Sequence, residues 1–284
     1  MTTNKYYNFG LVIILLTAIF SLAAGDDVKK LTSPTFEEAS AENAQLKNNL
    51  DWLFGGKPQR GWQLYLPIIA HFIGVEGEAE SEKFALALKQ WQRSSGLPAD
   101  GVLNQTSWLK MVEQWQARRS KDRTIPVPEK LVMVTAAEFY DPERPMELRQ
   151  FELETYRAYK KMMAAAARDL NLPLDADGKI AAAEKSLKII SAFRSPEYQQ
   201  KLREQSPNAG RAGLAVNSPH FTGRALDLYV GGDPVSTKDA NRAVQTNTKA
   251  YRWLVKNAER FGFIPYFYEP WHWEYNPQIT SPAK

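Results

Sequence analysis

Two of the three histidines in this chain lie in short motifs that together offer three metal ligands and a general base. One motif is Ser218-Pro219-His220-Phe221-Thr222-Gly223-Arg224-Ala225-Leu226-Asp227, and the other is Glu269-Pro270-Trp271-His272-Trp273. A catalytic zinc takes three nitrogen or oxygen ligands and leaves a fourth position to water, which it acidifies toward neutrality. His220, Asp227 and His272 meet that count for one Zn2+ per chain, and Glu269 is the carboxylate left over to act as base. The chain has no cysteine, so thiolate sites and disulfides are excluded and an ion must rest on imidazole and carboxylate. The chemistry indicated is that of a zinc hydrolase.

Spacing sets conditions on the elements that carry these groups. Side chains alternate faces along a strand, so an offset of seven puts His220 and Asp227 on opposite sides unless the chain turns between them, and Thr222-Gly223 offers that turn. Glu269 and His272 would also diverge on a regular strand. Pro270, which lacks an N–H, places a bulge or strand edge between them.

The two motifs resemble the S-x-H-x-x-G-x-A-x-D and E-x-W-H signatures of the VanY-type zinc D-alanyl-D-alanine carboxypeptidases, within the wider lysostaphin, D-Ala-D-Ala peptidase and hedgehog fold group. Upstream, Ser191-Ala192-Phe193-Arg194-Ser195, followed by Gln199, resembles that family's S-G-Y-R-S segment. The resemblance runs from about Thr135 to Pro277. It implies metal ligation by His220, Asp227 and His272, a catalytic base at Glu269, and a catalytic and substrate-binding role for Arg194, with Ser218 and Gln199 as further substrate contacts. On the residues alone, an ion-pair partner is the usual fate of an arginine, but the place of Arg194 at the end of the apolar run Leu187-Lys188-Ile189-Ile190 favours the substrate role, while Ser218 and Gln199 fit turn or helix-surface roles. The chain departs from the pattern in two places. Ser191-Ala192-Phe193-Arg194 lacks the usual glycine and tyrosine, and Gly262-Phe263-Ile264 runs almost directly into Glu269, which shortens one wall of the expected cleft.

The elements expected to position these groups form an α+β domain over residues 135–284, a small, mostly antiparallel sheet with flanking helices, like that of D-Ala-D-Ala peptidases and hedgehog proteins. Tyr156, Tyr159, Met162, Met163 and Ala166 make one stripe of a long helix from Phe151 to Leu170. A strand is expected from Leu187 to Phe193, then a helix from Pro196 to Glu204 with Ser195 as its cap. A strand over Ala225–Val230, a helix Thr248–Arg260 ending at Gly262, and closing strands between Phe263 and Tyr275 complete the domain. Trp271 and Trp273 are read as core or cleft wall.

Residues 48–117 show helical periodicity at Trp62, Tyr65, Ile68, Ile69, Phe72 and Ile73, and again from Phe84 to Trp91. Trp91-Gln92, Gly96-Leu97, Asp100-Gly101-Val102 and Thr106-Ser107-Trp108 resemble the three-helix peptidoglycan-binding module, which implies glycan polymer as a partner. His71 is expected to be half-buried. Residues 26–47, charged and poor in apolar residues, read as a tether or a loosely attached helix. Residues 118–134, with the basic run Arg118–Arg123 and Ile125-Pro126-Val127-Pro128, read as a solvated linker between two independent cores.

Residues 1–25 carry Lys5 and then an apolar run from Leu11 to Phe20 followed by small residues, the pattern of a signal peptide, with an uncleaved membrane anchor as the alternative. Export to a bacterial periplasm or cell wall follows. The net charge of +4 is small and dispersed, which suits an anionic wall polymer and argues against nucleic acid. Three activities are therefore open: a D,D-carboxypeptidase trimming peptidoglycan stem peptides, a peptidoglycan endopeptidase of the same fold, and a catalytically silent wall-binding protein. An intact Glu269 weighs against the last, because a silent site has no use for a base.

Overall fold

The computed structural model describes residues 34–206 and 214–279. The expected signal segment lies outside the described residues. No helix among the described residues is long and apolar enough to cross a membrane.

Helix α1 (Phe36–Asn49) opens on a capping box in which Thr35 and Glu38 satisfy each other's backbone N–H groups. Of the tether or loosely attached helix expected here, the described part is a helix, and it is firmly packed. Asn43 is fully buried and bonds across to Gly101 O at 2.9 Å and to Leu103 N at 2.8 Å. The firm attachment was not expected because the helix is anchored by an amide and by alanine rather than by a large apolar stripe. A hairpin follows, β1 (Asp51–Phe54) and β2 (Lys57–Arg60), closed by Gly55-Gly56. Then come α2 (Leu66–Phe72), α3 (Glu82–Ser94) and α4 (Gln105–Arg118), the last two capped by Ser81 and Asn104. His71 on α2 is exposed and not half-buried, because the apolar face of this short helix is carried by Ile68 and Ile69.

A small ribbon, β3 (Leu131–Met133) and β4 (Gln150–Glu152), leads into the long helix α5 (Leu153–Asp169). The main sheet has four antiparallel strands in the order β5-β6-β8-β7: β5 (Ile189–Ser191), β6 (Ala225–Leu228), β7 (Phe263–Pro265) and β8 (His272–Tyr275). Helix α6 (Pro196–Gln205) begins where expected, with Ser195 Oγ accepting from Tyr198 N. Helices α7 (Asp239–Thr246) and α8 (Lys249–Asn257) follow β6, and a further 3-10 turn closes on Gly262 at φ 84°. Small antiparallel sheets flanked by helices make this an α+β fold.

Residues 33–284 form one compact unit. The expectation of two independent cores divided by a solvated linker is corrected by the packing of Phe267, on the turn between β7 and β8. Its ring lies 4.9 Å from Phe54, 5.3 Å from Tyr65 and 5.6 Å from Trp115, centroid to centroid. A run of adjacent aromatics, Tyr266-Phe267-Tyr268, reads locally as a strand. Its role as the plug joining both halves of the core becomes visible only when α2, α4 and the hairpin are set against it.

Candidate active site

His220 lies not on a strand but in a 3-10 turn, Pro219–Thr222, ahead of β6. Ser218 Oγ accepts from His220 N at 3.3 Å and so caps the turn, while Gly223 at φ 66° ends it. A Cβ at Gly223 would come within 2.8 Å of Glu152 N, so both the left-handed backbone and the close approach to β4 require glycine. This is the turn anticipated between His220 and Asp227. It lets the two side chains converge despite their offset of seven.

Asp227 on β6 is the direct cross-strand partner of His272 on β8, which puts both side chains on one face of the sheet. Asp227 Oδ1 lies 2.9 Å from His272 Nδ1 and 3.3 Å from His220 Nε2. All three residues are buried, and their candidate donor atoms lie within 4.8 Å of one another. Ligands about 2.1 Å from an ion at tetrahedral angles stand roughly 3.4 Å apart, so this group is already close to the size a zinc ion needs. The outer hydrogen bonds agree. His220 Nδ1 is 2.6 Å from Ala192 O and must donate to it, leaving Nε2 as the lone-pair nitrogen. His272 presents Nε2 to Glu274 Oε1 at 3.2 Å, leaving Nδ1 for the ion. The two-nitrogen, one-oxygen set fits zinc.

Electrostatics distinguish the two imidazoles. Burial, assisted by the Arg194 charge, pushes His220 down to about 4 and keeps it neutral. Burial opposes charge on His272 as well, but hydrogen bonds to Asp227 and Glu274 outweigh it and hold the imidazole up at about 9. Burial also acts to raise Asp227, yet His220 and Arg194 beside it keep the carboxyl well below its usual range.

Glu269 sits on the tight turn between β7 and β8. Its N–H donates to Tyr266 O at 3.1 Å, and its carbonyl accepts from His272 N at 2.9 Å. The bend expected at Pro270 is thus a turn preceding β8, and it brings Glu269 and His272 to the same cavity of about 530 Å³. Burial pushes the Glu269 carboxyl up to about 8. Trp271 and Trp273 are both buried, and Trp271 also lines this cavity.

Arg194 lines the cavity with its guanidinium already engaged. Nε donates to Ser191 Oγ at 2.8 Å, and the two terminal nitrogens donate to Gln199 Oε1 at 3.4 Å and Asp227 Oδ2 at 2.5 Å. Gln199 is 2 % exposed and lies behind Arg194, with its amide on Ala215 O at 3.0 Å. Ser218 borders the cavity while capping the His220 turn.

Residues 149–278 match the family model VanY, described as D-alanyl-D-alanine carboxypeptidase. This part of the chain is a VanY-type domain. No curated protein matches the chain. Among solved structures, the LdcB LD-carboxypeptidase, described as revealing the molecular basis of peptidoglycan recognition, is 24% identical, with a TM-score of 0.37 over 53% of this chain and 69% of that one. A mutant of the vancomycin-resistance D,D-pentapeptidase VanY in complex with Zn(II) is 23% identical, with a TM-score of 0.29 over 44% of this chain and 72% of that one. VanYB in complex with D-alanine-D-alanine is 20% identical, with a TM-score of 0.28 over 44% of this chain and 71% of that one.

Two residues of the site were not singled out in the sequence. Glu274 is two positions beyond His272 on β8, hence on the same face, and the period of two could have revealed it. Arg119 follows α4, outside the VanY-type domain, in the run expected to be a solvated linker. It donates from Nε to Glu274 Oε1 at 2.9 Å, reaches the same oxygen through a terminal nitrogen, and lies 4.0 Å over the Tyr266 ring. Nothing local in the sequence marks it. Arg118 pairs with Glu259, and Arg123 borders the cavity, so this basic run is largely structural.

Proposed function

We propose that the protein is a zinc-dependent peptidoglycan peptidase, and specifically a D,D-carboxypeptidase that removes the terminal D-alanine of stem peptides. The observation that supports this most is the convergence of His220, Asp227 and His272 beside Glu269 in one cavity of a VanY-type domain. His220, Asp227 and His272 would hold one zinc per chain. Bound there, the ion supplies Lewis acidity to the attacking water and the scissile carbonyl.

Glu269 performs the proton transfers. Its carboxylate takes a proton from water as the water oxygen bonds to the peptide carbonyl carbon, and returns it to the amine as the C–N bond breaks. A base placed where burial raises its basicity is suited to both halves of that cycle. Arg194 borders the same cavity and donates to the outer oxygen of Asp227, and so holds that carboxylate in place for the ion. Ser218 and Gln199 serve the substrate by holding His220 and Arg194 in place.

Export, with action in the periplasm or cell wall, goes with this reading, as does glycan contact by the helical segment 48–117. The short turn between β7 and β8 favours one alternative, an endopeptidase admitting chain on both sides of the bond. Mass spectrometry of purified muropeptides separates the two. Loss of one terminal alanine is expected, whereas cut cross-links or mid-stem bonds would establish the endopeptidase, and unchanged muropeptides a silent wall-binding protein.

A further inference from the structure

Four guanidinium groups border the cavity, those of Arg119, Arg123, Arg144 and Arg194. Three are committed to neighbours. Arg119 is held by Glu274, Arg194 by Ser191, Gln199 and Asp227, and Arg123 by the carbonyls of Ser120, Asp122 and Asn217.

Arg144 is different. It lies on the loop between β3 and β4, half-buried, with Nε donating to Leu148 O at 3.2 Å and its guanidinium 5.8 Å from the Phe139 ring centroid. Among the described residues no carboxylate stands within ion-pairing distance of Arg144, and its two terminal nitrogens have no hydrogen-bond partner. Burial, assisted by the Arg194 charge, pulls its pKa down from the usual arginine value against the opposite pull of Tyr198, Asp227 and Asp141, so its charge is partly desolvated with no carboxylate paired to it. Tyr198, on the first turn of α6, borders the same cavity, and its hydroxyl likewise has no partner among the described residues.

A half-buried cation of this kind gains most from a planar anion that the fork can take at two points. Resting on the reading of this cavity as a peptidase site, we propose that Arg144, with Tyr198, receives a carboxylate of the peptide substrate and is the specificity-determining arginine. Arg194 is then a positioning residue for Asp227, with no nitrogen to spare for a two-point clamp. Stem peptides offer two sources of that carboxylate, the C-terminus and a side-chain or α-carboxyl along the stem. The terminal carboxylate would make the enzyme an exopeptidase, and the internal one would leave the chain end free.

The test measures peptide binding, so that it does not depend on turnover. Zinc-loaded Glu269→Gln protein is titrated calorimetrically with three synthetic stem peptides: one with all carboxylates free, one amidated at the C-terminus, and one amidated at the internal carboxyl. The same titrations are made after adding Arg144→Gln, Arg144→Lys or Tyr198→Phe, with zinc content and melting temperature as controls for folding. Arg144→Gln should weaken the free peptide by roughly ten- to a hundredfold, the span of a charge-assisted hydrogen-bonded pair. Arg144→Lys should recover only part of the loss. One of the two amidations should cost the Arg144-intact protein a similar factor and cost Arg144→Gln almost nothing, and which one identifies the source. Equal amidation penalties with and without Arg144, or no binding by any peptide, overturn the proposal. Cleavage by the wild type without that coupling would overturn the clamp and spare the peptidase reading; coupling without cleavage would do the reverse.

Discussion

Half-buried Arg119 and buried Glu274 form an ion pair that ties the end of α4 to β8, and the Glu274 oxygen that receives Arg119 also lies 3.2 Å from Nε2 of His272. A residue outside the VanY-type domain therefore orients a candidate metal ligand through one intervening carboxylate. Partners of this kind typically account for ten- to a hundredfold in metal affinity. Arg119→Ala and Glu274→Gln should each weaken zinc binding by roughly that factor in chelator competition, and Arg119→Lys should lie between. Wild-type affinity in both variants would show that His272 needs no such support.

His220→Ala, Asp227→Ala and His272→Ala should each abolish stoichiometric zinc and hydrolysis, because each removes one of the three candidate ligands. Metal analysis of the purified variants decides this. One zinc per chain in His220→Ala/His272→Ala would place the ion elsewhere.

Glu269→Gln separates chemistry from metal binding. The amide preserves size but cannot accept a proton, so zinc should stay while turnover falls by about two orders of magnitude or more. Near-normal turnover with zinc bound would assign the base to another group.

The metal-free protein should lose stability as pH rises from about 6.5 to 9. His272 is held at about 9 when folded, against an ordinary 6.5, because its hydrogen bonds to Asp227 and Glu274 outweigh burial. A folded value above the unfolded one means that the stabilisation is complete below about 6.5 and is lost as pH climbs through 9. Glu269, raised by burial to about 8, acts in the same sense over a window that begins at its lower unfolded value. Melting temperatures of chelator-treated protein should fall across this range. A constant value would mean that His272 is not held as imidazolium.

Residues 135–284 expressed alone should be markedly less stable than the chain from residue 34 onward. Truncation uncovers Phe267 and leaves Glu274 buried without Arg119. Leaving a buried carboxylate without its partner alone costs about 1–3 kcal/mol, a sizeable share of a domain's stability. Equal melting temperatures would restore the view of two separable cores.

The sequence by itself determined the candidate donors. His220, Asp227, His272 and Glu269 were identifiable because metal chemistry restricts the residue types and because local turn and strand rules apply to the short segments that carry them. The caps at Ser195 and the stop at Gly262 were legible for the same reason, since each acts within a few residues. What the tertiary structure decided lies at long sequence separation. Asn43 holds the loop at Gly101, Phe267 packs against Trp52, Phe54, Tyr65, Trp108 and Trp115 of the first half of the chain, and Arg119 reaches a carboxylate 155 residues away. In sequence, a basic residue among other basic residues reads as solvated, and only the burial of Glu274 opposite it makes pairing more favourable than hydration. The same holds for Arg194 and Arg144. Their residue type offers a carboxylate clamp in either case, but the neighbours that occupy one fork and leave the other open were assembled by the fold.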